Sequence, residues 1–163
     1  MAIHNRVVPH PARLEVENRA ALDGIFRNDA YRDALGAELE EWAGGWARVR
    51  YDVPSRHANF NGGLHGGAVF SVADAAFGVA SNSWGRIAVA LTMDAHFLAA
   101  PRIGEVLLAE SQERSRTRRT ASHLVEVTGA GGRQIASVHA MVHRTGRWHL
   151  GEEAWSQEWR EAH

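Results

Sequence analysis

Cysteine is missing from all 163 residues, which excludes disulfides, thiolate catalysis and cysteine-ligated zinc, and fits a reducing compartment. A surplus of charge is missing too. Eighteen Lys and Arg stand against nineteen Asp and Glu, a formal charge of -1. That balance gathers no polyanion, so nucleic acid is not an expected partner. No stretch approaches the ~18 apolar residues of a membrane span. The segment from Met1 to Pro11, with His4, Asn5, Arg6 and His10, has no apolar signal-peptide centre. A cytoplasmic setting without membrane association is the expectation. What the chain does have is 45% hydrophobic and 23% charged residues, enough for one domain with a full core. Six Trp and ten His are the compositional excess.

From Ala12 to about Leu35, Leu14, Ala21, Ile25 and Leu35 recur at roughly helical spacing, and Gly36 supplies a stop. Two extended runs follow, Ala37–Ala43 and Trp46–Val53, joined by Gly44-Gly45, which is a hairpin signal. Arg56 to Gly63 reads as an irregular loop. Gly66 to Ser83 is long enough for a helix and apolar nearly all round, the pattern of a buried one. Four more strands are expected at about 88–99, 106–113, 120–128 and 133–144. In the last, Ala136, Val138, Ala140 and Val142 alternate with Ser137, His139 and His143. Short turns make these strands antiparallel. The tail 146–163, with Trp148, Trp155 and Trp159, fits either a surface helix or a flap under a partner. The expected class is α+β, a long antiparallel sheet wrapped round a central apolar helix. Residues 1–36 form an amino-terminal arm and helix, 37–145 the main domain, and 146–163 the tail.

Asp74 is the only formally charged side chain between Arg56 and Arg86, and Ala73, Ala75, Ala76 and Phe77 surround it. Burying a lone carboxylate costs several kcal/mol, so such a residue is either paired or used. It fits a bonded structural Asp, or a general base or nucleophile. At the mouth of the same helix stands His65-Gly66-Gly67. Two glycines there leave backbone N–H groups unshielded at the positive end of the helix dipole, suited to an oxyanion or a phosphate. The glycines also fit a loop that needs them only for its dihedrals. Asn59, Gly62 and His65 precede the helix at even steps of three. Asn59 could orient a water or carbonyl, and His65 could brace the loop. Both also fit as turn residues.

Taken together, N59-F60-N61-G62-G63-L64-H65-G66-G67-A68-V69-F70-S71-V72-A73-D74-A75-A76-F77, continuing to N82-S83-W84-G85, resembles the signature of the PaaI-type hotdog thioesterases. That family includes the phenylacetate-pathway hydroxyphenylacetyl-CoA thioesterases. A weaker likeness runs from about Phe26 to Thr145 and includes H96-F97-L98 and G104-E105. The resemblance implies a hotdog fold and hydrolysis of an acyl-CoA thioester. Asp74 would be the catalytic carboxylate, and Gly66, with Gly67 beside it, the backbone donor to the thioester carbonyl. Asn59 and His65 would shape the site. It implies no cofactor, coenzyme A being part of the substrate, and it makes an aromatic or phenylacetyl acyl group the expected one. Val72, where the family commonly has Leu, and the long tail are departures that bear on substrate identity.

Gly66 and Asp74 lie eight residues apart on one expected helix, roughly 12 Å along its axis. One thioester cannot meet both groups of one chain, because attack requires contact within about 3–3.5 Å. A two-fold homodimer with shared sites is the simplest remedy. The resemblance implies the same, often as a dimer of dimers. Arg114, Arg116, Arg118 and Arg119 cluster at the expected hairpin between the fourth and fifth strands. They fit phosphates of coenzyme A, or a solvated hairpin tip. His139 and His143, on a strand, are roughly 13 Å apart and cannot clamp one metal ion. Two other functions remain in view: a non-catalytic acyl-CoA-binding sensor, and a hotdog hydratase or dehydratase.

Overall fold

The computed structural model describes residues 16–163. The expected amino-terminal arm and the start of the expected helix at Ala12 lie outside the described residues. The expected helix is in fact two, α1 (Arg19–Arg27) and α2 (Ala30–Leu35). Asp29 makes the break. Its backbone is extended, and its carboxylate accepts from the N–H groups of Tyr31 and Arg32 at 3.0 Å each. An Asp gains more as a cap than inside a helix, where it competes with the backbone. Arg32 then fixes the corner by donating to the carbonyls of Phe26 and Arg27 at 2.7 and 2.9 Å.

The Gly44-Gly45 hairpin joins β1 (Ala37–Ala43) to β2 (Trp46–Asp52). After a loop comes α3 (Gly66–Asn82), followed by β3 (Arg86–Phe97), β4 (Val106–Arg116), β5 (Thr120–Thr128) and β6 (Gln134–Trp148). They form one antiparallel sheet in the order β1-β2-β4-β5-β6-β3. Period-two burial holds along β5, where Ala121, His123, Val125 and Val127 face inward. It holds on β6 through Val138, Ala140 and Val142. The apolar ones among these side chains form one core with Val69, Val72, Ala73, Ala76 and Phe77 of α3, which packs across β2 and β4 and reaches β3 and β5. The sheet and its helix are the hotdog architecture.

β4 runs to Arg116 and β6 to Trp148, both farther than the pattern suggested. Past β6 the chain makes one tight turn and ends in α4 (Gln157–Ala162). Trp155 is 3% exposed. Its ring lies over Gly85, whose φ of +86° and lack of a Cβ admit it. Trp148 and Trp159 flank it, with ring centroids 5.4 and 6.2 Å away. The tail is therefore a short helix held down by its own tryptophans. Leu22, Phe26 and Trp155 belong to the same core as the sheet.

His123 is buried beneath α3. Phe77 meets it edge-on at 5.3 Å, and Ser111 Oγ lies 3.3 Å from its Nδ1. Its Nε2 has no hydrogen-bond partner among the described residues, although Glu113 Oε2 is 4.0 Å away. Burial lowers its pKa from 6.5 to about 4. The folded chain therefore binds fewer protons than the unfolded one between those values, and stability must fall as pH drops through that window. The loss is up to about 3 kcal/mol. His123→Leu is expected to flatten the acid limb of a urea-midpoint-against-pH curve. An unchanged slope would show that another group titrates there.

Candidate active site

The loop before α3 is built by Asn59. Its Oδ1 accepts from the N–H groups of Asn61 and Gly63 at 2.9 and 3.2 Å, and its Nδ2 donates to the carbonyl of Leu64 at 3.2 Å. Three bonds commit this amide to the loop, so Asn59 acts here by holding the chain that delivers the helix. Gly62 completes the turn at φ +82°, a conformation that favours glycine.

His65 caps α3. Its Nδ1 accepts from the Gly67 N–H at 2.9 Å, which leaves the ring proton of the neutral imidazole on Nε2. The Ala68 N–H donates to the His65 carbonyl at 2.9 Å. Gly66 N–H has no partner among the described residues. It is thus the open donor at the positive end of a 17-residue helix. Gly67, expected beside it as a second donor, already serves the cap. The ring of Phe97 lies 3.7 Å from where a Cβ of residue 66 would stand.

Asp74 departs from the buried position expected of it. Burial along α3 leaves Gly67, Asp74 and Gly78 exposed, a stripe at helical spacing. The helix is apolar nearly all round, yet in the single chain only part of its circumference meets the sheet. Asp74 opens on a cleft of about 830 Å³ whose walls include Asp29, Tyr31, Ser71, Asn82 and His149. Although exposed at the mouth, its carboxyl is pushed above the usual range. Loss of water in the cleft is the main cause, and the charge of Asp29 adds to it. No hydrogen bond or ion pair holds it among the described residues. Tyr31 and Ser71 share a hydrogen bond of 2.9 Å beside it.

The residues nominated from sequence therefore fall into two groups. Asn59, His65, Gly66 and Gly67 gather at the helix entry, and none of them lines the Asp74 cleft. Eight residues of α3 separate Gly66 from Asp74, roughly 12 Å of axial rise. Tyr31, Asn82 and His149 are cleft residues that sequence reasoning missed. Asn82 looked like the end of a helix, and His149 lay in a tail with no readable pattern.

The arginines do not form one hairpin tip, because β4 carries two of them inside the strand. Arg114 is exposed there. Arg116 is engaged by the chain itself, with Glu113 at 3.4 Å, His163 Nδ1 at 2.8 Å and the Trp84 ring 4.4 Å beneath it. Arg118, in the turn, lines a second cleft of about 720 Å³ with Arg86, Arg144 and Trp148. None of the three lines the Asp74 cleft.

A six-stranded antiparallel sheet with one helix packed across it, and the relatives it is similar to, make this chain a thioester hydrolase of the hotdog class. The chain belongs to the thioesterase superfamily, whose family model matches residues 61–136. It is 33% identical over 128 residues to the acyl-coenzyme A thioesterase PaaI of Escherichia coli, covering 78% of this chain and 91% of that protein. It is 36% identical over 122 residues to a putative esterase of Archaeoglobus fulgidus, covering 75% and 79%. The solved structure of Escherichia coli PaaI superposes with a TM-score of 0.76 at 30% identity, covering 81% of this chain and 97% of that one. A hypothetical thioesterase of Streptococcus pneumoniae, solved with coenzyme A, gives 0.70 at 26% identity, covering 76% and 96%.

Proposed function

We propose that this chain hydrolyses acyl-coenzyme A thioesters in a site shared by two copies of itself. One observation carries the reading. The open Gly66 N–H and the unpaired Asp74 carboxylate stand on one helix, about 12 Å apart and unable to meet one carbonyl. Two-fold pairing brings Gly66 of one copy to Asp74 of the other and makes two equivalent sites. β3 ends the sheet with an edge that is unpaired among the described residues, and Val89 and Leu91 on it are 47% and 55% exposed. Such a face suits a second copy. Further pairing of dimers fits the same family pattern.

In each site the thioester oxygen accepts from the Gly66 N–H, and the helix dipole stabilises the charge that develops on it. Asp74 then acts in one of two ways. As a nucleophile it attacks the carbonyl carbon and the C–S bond breaks. The thiolate of coenzyme A leaves and is protonated, and water opens the resulting anhydride. As a base it takes a proton from the water that attacks directly, and that proton passes to the leaving thiolate. The acyl group would lie in the cleft against Ile25, Phe26, Val79 and Ile87, walls suited to an aromatic or phenylacetyl group. Arg114 and Arg118, which form no ion pair among the described residues, are the proposed partners of the coenzyme phosphates. Arg116 would serve by fixing the hairpin that carries them. The setting is proposed to be cytoplasmic.

Thiol release from a panel of acyl-coenzyme A substrates tests the activity. A sensor would bind without release, and a hydratase would act on an enoyl group instead. Sharing of the site is tested by refolding Asp74→Ala and Gly66→Pro chains together. Half the dimers in a random mixture are mixed, each with one intact site, so roughly a quarter of native activity should return. Mixed dimers that form and stay inactive would overturn the shared site.

A further inference from the structure

The loop that delivers α3 is tied to the sheet by a buried tyrosine. Tyr51 stands on β2 between Ala37 of β1 and Leu107 of β4, and is 0% exposed. Its hydroxyl meets Nδ1 of His57, at the end of the short turn Ser55–His57. The two rings stack with centroids 6.0 Å apart and planes 15° from parallel. The hydroxyl has no other partner among the described residues. A buried O–H needs an acceptor, so Tyr51 donates and Nδ1 accepts. The ring proton of a neutral His57 is then on Nε2. Burial and the charge of Arg56 lower the pKa of His57, and burial raises that of Tyr51, which keeps both groups in these forms.

His57 passes this anchorage to the helix entry. Its carbonyl accepts from the His65 N–H at 3.0 Å, at the base of a loop closed further by an antiparallel bridge between Ala58 and Leu64. His65 is thus held at three points: its N–H by His57, its carbonyl by the Ala68 N–H, and its Nδ1 by the Gly67 N–H. The open donor, Gly66 N–H, belongs to the peptide that follows His65. That peptide is planar, so fixing His65 fixes the direction in which the N–H points. Gly67 and Ala68 belong to α3 itself. His57 is the contact that refers the donor to the sheet. Leu64, 5% exposed, seats the loop in the core, but apolar burial has no preferred direction and a hydrogen bond has one.

We infer that Tyr51 and His57 are positioning residues for the hydrolysis, aiming the Gly66 N–H at the oxygen of the thioester. This rests on the reading of Gly66 as the carbonyl donor and adds to it the pair that directs the donor. An oxyanion donor works by being in place before the charge develops, so a small rotation of its peptide is felt in kcat rather than in substrate affinity.

Tyr51→Phe removes one oxygen and keeps the ring. It is expected to lower kcat about tenfold with KM unchanged, less than the roughly hundredfold cost of a misplacement of about 1 Å. His57→Asn sets an amide oxygen near the place of Nδ1 and should keep most of the native kcat. His57→Gln sets its amide near Nε2 instead and should lose as much as Tyr51→Phe. A pair that serves stability alone would lower the thermal midpoint and leave kcat per folded chain unchanged, which overturns the inference. Equal losses in the Asn and Gln variants overturn it too. The donor is also read without turnover, with a phenylacetyl-coenzyme A analogue in which a methylene replaces the thioester sulfur. It keeps the carbonyl and cannot be hydrolysed. Saturating analogue should move the Gly66 amide proton downfield in the native protein, and move it less in Tyr51→Phe. An equal shift in both refutes the positioning and leaves Gly66 as the donor. No shift in the native protein instead counts against Gly66 itself, and the inference falls with it.

Discussion

Asp74→Asn is expected to lower thioester turnover at least about a hundredfold, the usual contribution of a positioned base, and to leave the chain folded. The amide is nearly isosteric but can neither take a proton nor attack a carbonyl. Nothing structural depends on the charge, because Asp74 holds no partner among the described residues and lines an open cleft. The sign of its effect on stability follows from the raised pKa. The protonated form is favoured in the fold, so the stability Asp74 contributes is full in acid and is lost as pH rises through that pKa. The Asn variant should therefore match or exceed native stability at neutral pH, with the difference closing in acid. The native rate should rise with pH through a value above the ordinary carboxylate range, and this limb should vanish in the variant. Native-like release of coenzyme A by purified Asp74→Asn would remove Asp74 from the mechanism.

Gly66→Pro is expected to abolish activity, and Gly66→Ala to reduce it far less. Proline is tolerated at the first position of a helix. Here the preceding residue, His65, is already extended at φ -66° and ψ 131°, the conformation a following proline requires. The substitution removes one N–H, and that N–H has no partner among the described residues. Losing a donor to the developing oxyanion costs about 10²- to 10³-fold in kcat. Alanine keeps the donor, and its Cβ would meet only the Phe97 ring, at an ordinary 3.7 Å. Measuring kcat beside the thermal midpoint of each variant separates the causes. Equal losses at equal stability would mean that the backbone path at residue 66, rather than its hydrogen bond, sets the rate.

Much of this was legible because the relevant patterns are local. The alternation on β6 and the Gly-Gly hairpin mark strands wherever the chain goes, and the apolar run from Gly66 marked the helix. The helix entry was legible for the same reason, since a histidine two residues before a glycine can cap it from within. The break at Asp29 was hidden because a capping Asp and a solvent-facing helical Asp look alike in sequence. Exposure of Asp74 was hidden because composition does not say how much of an apolar helix a single sheet can cover. The cleft floor was beyond reach. Asn82 and His149 are 67 residues apart, and the pairing of β3 with β6, which sets Arg86 against Trp148 and lets the His149 N–H reach the Gly85 carbonyl, brings them together.

The two edges of the sheet are not alike, and the difference limits what the chain can build. On β1 the carbonyls of Leu39 and Trp42 already accept from Arg27 and Arg19 of α1, at 2.9 and 2.7 Å. The strand is also bulged between Leu39 and Glu41 and presents exposed Glu38 and Glu40. Strand addition is blocked there by occupied acceptors, broken register and like charge. β3, at the far edge, is twelve residues long with exposed Val89 and Leu91. A sheet with one sealed margin can be extended once and no more. Association through β3, as proposed above, would therefore close along this sheet as a pair rather than run on as a filament, with Arg19 and Arg27 of α1 occupying the opposite margin.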